Sequence, residues 1–189
     1  MRDNRDIPIP FNQEKVHLNE QEKELLLKEL MASYSQKVFL LAYSFVQDHG
    51  MAEDISQEVF IKCYQNLNQY RGEASLSTWL YRITANTSKD VLRKNKLAIL
   101  MQPWQFFEAF KRSESPEVSY LKQDQREEVL QSIFSLPIKY REILILYYFH
   151  EQKVEEIAVS LAINSNTVRT RLVRGRERLK QVLTSKIGE

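Results

Sequence analysis

The segment from Val154 to Lys180 constrains the fold more than any other part of the chain, because its apolar residues recur at helical spacing on both sides of a polar turn. Asn164, in that turn, can cap a second helix by accepting a free backbone N–H, so we expect this helix to start near Ser165. Six basic residues follow along the same helix: Arg169, Arg171, Arg174, Arg176, Arg178 and Lys180. Two short helices around a turn, the second rich in arginine, predict a DNA-binding helix-turn-helix.

Basic charge is concentrated in this part of the chain. The whole sequence carries a formal net charge of +2, whereas residues 164–189 contain seven Lys or Arg and two Glu, a balance of +5. Such a helix neutralises phosphates, and arginine can bind a guanine edge bidentately in the major groove. A basic amphipathic helix can also be a solvated face with no ligand. The motif therefore favours DNA binding and leaves the simpler interpretation open.

The residues that interrupt helices are scarce. Four glycines and five prolines among 189 residues, with abundant Leu, Glu, Lys and Gln, favour a nearly all-α protein. This length allows either one large domain or two small ones, each with a modest core.

Cysteine and histidine usage excludes several classes of protein. Cys63 is the only cysteine, which rules out an intrachain disulfide framework and is consistent with a reducing cytoplasm. His17, His49 and His150 lie far apart without metal-ligand spacing. The sequence also shows no glycine-rich phosphate loop, no apolar run of about 18 residues and no signal peptide. We therefore expect no cofactor, no metal, no membrane span and no secretion.

Helical spacing organises the first half of the chain. Residues 1–19 are polar and contain prolines, so we expect a flexible arm. Apolar residues three or four apart predict helices from Glu20 to about Gln47, Ala52 to Leu67 and about Thr78 to Lys94. A break at Asp48 to Gly50 separates the first two, and a loop from Asn68 to Ser77 precedes the third. The second helix is expected to bury Ile55, Val59, Cys63 and Leu67 and to expose Glu53, Asp54, Gln57, Glu58 and Lys62.

The loop before the third helix combines an aromatic ring and a cation, Tyr70 and Arg71, and the later turns of that helix are polar and basic. Such a loop could capture an unstacked base. Tyr70 and Trp79 are residue types found more often in a core or at its rim. Composition by itself leaves both roles open.

Between the two halves, residues 97–119 mix prolines with the aromatic side chains of Trp104, Phe106, Phe107 and Phe110. We expect a linker whose aromatic residues dock on a neighbouring surface or a partner, or else a short extra helix packed on the first domain. Helical spacing resumes from about Glu117 to Ser135. Leu136 and Pro137 then start a further helix, with proline near its first turn, which leads into the helix-turn-helix.

Two pairs of motifs, one pair in each half, resemble a known family. The first half contains AEDISQEVFIKCY at residues 52–64 and YRGEASLSTWLYRITANTSKDVLRK at residues 70–94. The second contains LPIKYREIL at residues 136–144 and EEIAVSLAINSNTVRTRLVRGRERL at residues 155–179. In this order and spacing they are similar to the motifs of bacterial extracytoplasmic-function (ECF) sigma factors, over roughly residues 22–183.

The resemblance implies an all-α protein of two small helical domains joined by a flexible linker. The implied organisation is the arm at 1–19, a sigma region 2 helical bundle at 20–96, the linker at 97–119 and a sigma region 4 helix-turn-helix domain at 120–189. Such a protein binds core RNA polymerase and directs promoter recognition, promoter melting and transcription initiation, in a stress or envelope response. It has no active site and is not an enzyme. The implied partners are core polymerase, promoter DNA and an anti-sigma factor, which could hold this cytoplasmic protein at the membrane.

The resemblance also assigns roles to residues. Contacts to the clamp coiled coil of the largest polymerase subunit are implied for Asp54, Gln57 and Glu58. A base flipped from the non-template strand of the minus-ten element would enter the loop of Tyr70, Arg71, Gly72, Glu73, Ala74, Ser75 and Leu76. The same element would be read and held by Asn86 and Lys89. The minus-thirty-five element would face Arg169, Thr170, Val173 and Arg174, and its backbone would be within reach of Arg171, Arg176 and Arg178. The linker would thread toward the catalytic cleft of polymerase.

Three positions depart from the family pattern. The family usually has a glycine and then a serine or threonine cap before the first helix of the helix-turn-helix, where this chain has Glu151 and Lys153. Losing such a cap costs about 1 kcal/mol. At Gly175 the family more often has alanine, and an interior glycine costs about 1 kcal/mol of helix stability. We therefore expect a marginally stable second domain.

Two other classes of protein share parts of this pattern. A helix-turn-helix regulator with a helical sensor domain would bind duplex promoter DNA without polymerase. An anti-sigma or adaptor protein, acting through protein contacts alone, would leave the arginine-rich helix unexplained.

Overall fold

The computed structural model describes residues 18–101 and 124–187. Residues 1–17 of the predicted arm and most of the predicted linker, including Trp104, Phe106, Phe107 and Phe110, lie outside these ranges. The described residues form helices and no strand. The α-helices are α1 (Glu20–Val46), α2 (His49–Asn66), α3 (Leu76–Met101), α4 (Asp124–Phe134), α5 (Ile138–Leu144), α6 (Val154–Leu161) and α7 (Ser165–Ile187). A 3-10 turn at Leu67–Gln69 follows α2, and a π-helical turn at Ile145–Phe149 follows α5. The predicted all-α fold is confirmed.

Helices α1, α2 and α3 pack into one bundle. The predicted buried positions of α2 and its following turn, Ile55, Val59, Cys63 and Leu67, are all in the core. Burial raises the pKa of the Cys63 thiol to about 12, so this side chain is an unreactive apolar group.

The break between α1 and α2 is shorter than predicted. Helix α1 ends as expected, because Gln47 adopts a left-handed conformation with φ 52°. Asp48 then caps α2, and its Oδ1 accepts a hydrogen bond from the backbone N–H of Met51 at 2.7 Å. The prediction that His49 and Gly50 lie in the break was wrong, since the aspartate cap lets the helix start directly after it.

Helix α3 is longer than predicted at both ends. It begins at Leu76 and continues to Met101, beyond the predicted end at Lys94 and into the first residues of the predicted linker. Ser75 lies before its first turn, where its Oγ accepts a hydrogen bond from the backbone N–H of Thr78 at 3.2 Å. No glycine or proline interrupts this stretch, so no local signal ends the helix at Lys94.

Helices α4 to α7 form the second bundle. Helix α5 starts after Pro137, as predicted, and the helix-turn-helix consists of α6, a turn at Ala162–Asn164 and α7. Asn164 Oδ1 accepts a hydrogen bond from the backbone N–H of Asn166 at 2.8 Å, which confirms the predicted cap and the start of α7. The buried apolar residues of both bundles belong to one contiguous cluster, because α6 packs on α3 and α5 packs on α1.

None of the described helices is long and apolar enough to cross a membrane. Within the same residues, no group of three His, Cys, Asp or Glu side chains is placed to hold a metal ion.

Candidate nucleic-acid interface

The first half of α7 presents one exposed face. Arg169, Thr170, Val173 and Arg174 lie together on it, and Val173 is 54% exposed. Arg169 is oriented by Glu155 of α6, whose Oε1 accepts a hydrogen bond from the guanidinium at 2.8 Å. Arg174 forms no hydrogen bond or ion pair with any described residue. Two cations flanking a small apolar side chain can contact phosphates, guanine edges and a thymine methyl group.

The other three arginines of α7 are held by the protein itself. Arg171 forms an ion pair with Glu142 of α5 at 3.3 Å, and its side chain is 29% exposed. The Arg176 guanidinium lies 5.2 Å from the ring centre of Tyr147, and that of Arg178 lies 5.3 Å from the ring centre of Tyr140. Arg176 and Arg178 remain exposed and can also reach a phosphate. Arg171 instead lies against the domain.

Arg141 and Glu142 are adjacent buried charged residues that the sequence patterns did not reveal. They are 6% and 5% exposed in the middle of α5. Burial raises the pKa of Glu142, while the positive charges of Lys89, Arg171 and Arg141 oppose that shift. Burial also lowers the pKa of Arg141. The available signal was two adjacent charges directly before the apolar run Ile143 to Leu146, where at least one must face the core.

The loop before α3 is anchored in the core at its two ends, and its tip is exposed. Tyr70 is buried, its hydroxyl donates a hydrogen bond to Ala74 O, and its ring centre lies 5.2 Å from that of Trp79. Leu76 is buried as well, and Ala74 and Ser75 are half-buried. The tip of Arg71, Gly72 and Glu73 is exposed, and Gly72 has a left-handed φ of 69°, which glycine adopts without steric cost. Tyr70 therefore shapes the loop from the core side.

Helix α3 carries the two other residues assigned to the minus-ten element. Asn86 is exposed and has no hydrogen-bond partner among the described residues. Lys89 is also exposed, but its Nζ donates a hydrogen bond to Leu161 O, the last carbonyl of α6, at 3.1 Å. Arg82, exposed one helical turn before Asn86, extends the same polar stripe and was not singled out from the sequence.

The outer face of α2 begins acidic, as expected. Glu53, Asp54, Gln57 and Glu58 are all exposed. Glu58 forms an ion pair with Lys62 at 2.7 Å, and Lys62 is half-buried. Within the described part of the chain, Asp54 and Gln57 have no polar partner, so this face is available to another protein.

The three departures from the family pattern have structural consequences. Glu151 adopts a left-handed backbone with φ 56°, a conformation that favours glycine. Lys153 makes no side-chain cap, but Glu156 accepts a hydrogen bond from the Lys153 backbone N–H at 2.7 Å, so half of a capping box remains. Gly175 lies where α7 crosses α5, and a Cβ there would be 3.4 Å from Leu144 Cδ1.

Comparison with known proteins identifies the class. Residues 30–97 match the family model for sigma-70 region 2, and residues 126–179 match that for sigma-70 region 4. The two bundles are thus the paired domains of an RNA polymerase sigma factor. The chain is 36% identical to the RNA polymerase sigma-H factor of Pseudomonas aeruginosa over 168 residues, 85% of this chain and 87% of that protein. It is 32% identical to the ECF RNA polymerase sigma factor SigW of Bacillus subtilis over 163 residues, 82% of this chain and 87% of that one.

A solved structure has the same fold. The sigma factor RpoE from Bartonella quintana, crystallised with the anti-sigma factor NepR, superposes with a TM-score of 0.70 at 22% identity, covering 83% of this chain and 96% of that one. The chain belongs to the ECF sigma factors. This membership confirms the resemblance found in the sequence and excludes the interpretation as an ordinary helix-turn-helix regulator.

Proposed function

We propose that this ECF sigma factor directs core RNA polymerase to promoters through two DNA-reading surfaces. The observation that carries the proposal is the exposed face of Arg169, Thr170, Val173 and Arg174 on the second helix of the helix-turn-helix. This face would enter the major groove of the minus-thirty-five element. Arg176 and Arg178, exposed beside it, would contact the DNA backbone and fix the orientation of the helix.

The second surface would act at the minus-ten element. The tip of the loop, Arg71 to Glu73, would meet the flipped non-template base, with the anchored residues Tyr70, Ala74, Ser75 and Leu76 holding the loop in shape. Asn86 and Lys89 would read and hold the same strand. Binding an unstacked base offsets part of the cost of opening the duplex, a few kcal/mol for each extruded base. The reaction itself belongs to polymerase, so we propose that the chain is not an enzyme.

Core polymerase would bind the first domain. Asp54, Gln57 and Glu58 on α2 would contact the clamp coiled coil of the largest subunit, since they form an exposed polar face with spare acceptors. We propose the domain division 20–96 and 120–189, with α3 extending into the segment between the domains.

We also propose an anti-sigma partner, a cytoplasmic location and a role in a stress or envelope response. Two structural relatives support the partner: the sigma factor RpoE was solved with the anti-sigma factor NepR, and CnrH was solved with the cytosolic domain of CnrY. CnrH superposes with a TM-score of 0.60 at 19% identity. The exposed surfaces of both domains would be the targets of such a partner.

Transcription in vitro tests the function. Purified protein added to core polymerase should direct initiation from at least one promoter in a library of genomic fragments. Failure to initiate from any of them would contradict the proposal. On a responsive promoter, Asn86→Ala should reduce open-complex formation while core binding stays unchanged, and Gln36→Ala, at an exposed uncharged position of α1, serves as the matched control. Equal loss of opening and core binding would remove the role assigned to Asn86.

A further inference from the structure

The first helix of the helix-turn-helix contacts one exposed arginine of the second. Arg169 donates a hydrogen bond from Nη2 to Glu155 Oε1 at 2.8 Å and another from Nη1 to Asn166 Oδ1 at 3.1 Å. We propose that Glu155 is a positioning residue: it aims Arg169 at one guanine of the minus-thirty-five element and so sets the base preference there. The inference deepens the proposed function, because it concerns the same face of α7.

The three residues meet because of their places in the two helices. Glu155 is the second residue of α6, and Asn166 is the second residue of α7. Arg169 follows Asn166 by three residues, so both lie on one side of α7. The chain turns at Ala162, which has a left-handed φ of 55°, and α7 packs against α6. In a helix-turn-helix the first residues of the second helix contact base edges, so the guanidinium is held where such a contact is made.

Two acceptors from two helices fix the orientation of the Arg169 guanidinium. An arginine side chain is otherwise flexible, and ordering it at an interface costs conformational entropy. Both bonds exist in the free protein, so this ordering precedes contact with DNA. Without Glu155, the guanidinium would pivot about its single bond to Asn166.

The anchored guanidinium keeps enough donors to read a base. Of its five N–H groups, the bonds to Glu155 and Asn166 use two, which leaves three for a ligand. Two donors suffice for the O6 and N7 acceptors of guanine, and no other base presents this pair in the major groove. The ligand expected for Arg169 is therefore a guanine edge.

Neither general DNA affinity nor stability explains a glutamate at position 155. A carboxylate beside DNA repels phosphates, so Glu155 weakens binding that is independent of sequence. Its side chain is 66% exposed and that of Arg169 is 55% exposed, and an ion pair this exposed adds little to the stability of the fold. Arg174, on the same face, has no such partner among the described residues and is free to follow a phosphate. Selectivity at one base pair accounts for Glu155.

Base preference in the holoenzyme tests the proposal. Each base pair of the minus-thirty-five element of a responsive promoter is replaced in turn, and initiation is measured with core polymerase and the full chain. At one position wild type should prefer guanine by roughly 5- to 150-fold, and Arg169→Ala should abolish that preference. Glu155→Ala should lower the preference at the same position by about fivefold and leave the other positions and the melting temperature unchanged.

Further variants separate positioning from charge. Glu155→Gln keeps a carbonyl acceptor for Arg169 Nη2 and should retain most of the preference. Glu177→Ala removes the same charge from an exposed position of α7 and should retain all of it. The double variant Arg169→Ala, Glu155→Ala should discriminate no worse than Arg169→Ala alone, because both changes act on one base contact.

Several results would overturn the role of Glu155. They are full discrimination by Glu155→Ala, an equal loss with Glu177→Ala, and unchanged base preference in Arg169→Ala. Relaxed preference of Glu155→Ala at a different base pair from Arg169→Ala would also overturn it, since the carboxylate would then read cytosine N4 itself. In all these cases the holoenzyme still initiates and the proposed function stands, whereas absence of initiation by wild type from every promoter contradicts the function itself.

Discussion

The two helices proposed to read DNA differ in how much of their polar face is exposed. Helix α7 presents Arg169, Thr170, Val173 and Arg174 to solvent, while α3 exposes Asn86 but holds Lys89 against the end of α6. Recognition of duplex DNA needs a face that is already exposed, because a double-stranded element can be contacted before the promoter DNA melts. Single-strand recognition follows melting, so its face can stay partly covered until polymerase is bound. The proposed minus-ten surface is therefore the less accessible of the two in this structure.

The largest change should come from breaking the link at Arg141. Arg141→Met would remove the hydrogen bonds that the guanidinium donates to Ser44 O and Phe45 O at the end of α1 and to Leu136 O, whereas Phe134 O would keep its bond from Gln47 Nε2. We expect the free energy of unfolding in urea to fall by roughly 2–4 kcal/mol. Arg93→Met, at an exposed arginine of α3, should change it by less than about 0.5 kcal/mol. A loss below about 1 kcal/mol for Arg141→Met would show that the two domains are not joined through this side chain.

The next largest effect should come from the difference between the exposed and the tethered arginines of α7. Arg174→Ala should reduce initiation on a minus-thirty-five-dependent promoter by about tenfold or more, as expected for one lost base or phosphate contact, with the melting temperature unchanged. Arg171→Ala should instead lower thermal stability, because it leaves the buried carboxylate of Glu142 with one fewer cation. If the two variants exchanged these phenotypes, the assignment of exposed and tethered arginines would be wrong.

Acidification should destabilise the contact between the two domains through His150. Burial, followed by the charge of Lys37, lowers the pKa of this histidine from 6.5 to about 3. As the folded pKa lies below the unfolded one, the unfolded chain takes up the proton first. The stability contributed by the neutral ring is complete above pH 6.5 and is lost progressively as the pH falls toward 3. Wild type should lose roughly 1 kcal/mol of unfolding free energy between pH 7.5 and 5.5 beyond any loss in His150→Phe.

The phenylalanine variant is a matched control because its ring can still stack on Tyr81 while no group titrates at that position. Carboxylates titrate in both proteins, so only the difference between the two pH profiles reports on His150. Parallel profiles would mean that the ring is not held neutral in the interface.

The smallest effects should be confined to the second domain. Glu151→Gly places a glycine at a left-handed backbone position, and we expect the free energy of unfolding to rise by about 0.5–1 kcal/mol. Gly175→Ala should add up to about 1 kcal/mol of helix stability, since its Cβ would meet Leu144 at ordinary contact distance. Thermal melts of the full chain would measure both. If neither variant raises the melting temperature, the expectation of a marginally stable second domain fails.

Much of the fold could be read from local signals. The spacing of apolar residues predicted α1 and the buried positions of α2, and the Asn164 cap predicted the start of α7. The end of α3 was predicted too early, at Lys94, although Pro103, two residues after Met101, is the local signal that a helix ends nearby. The start of α2 was placed too late, since the Asp48 cap lets the helix begin at His49.

The candidate site was predictable in part. The exposed face of α7 follows from helical spacing, but the capture of Arg171 by Glu142 depends on a partner 29 residues away in sequence. Thr78, Gln152 and Ser160, which join the domains, are small or neutral polar residues with no periodic pattern. Their role arises only from tertiary packing.

The π-helical turn at Ile145–Phe149 sets the rotational register of everything after α5. Such a turn holds one residue more than an α-helical turn, which rotates the following side chains by roughly 100°. Tyr148 then faces outward beneath Arg176, and His150 faces Tyr81 of the other domain. Deleting a single residue here would bring a neighbouring side chain to the place of His150. The contact between the two domains therefore depends on the number of residues in this turn as well as on their chemistry.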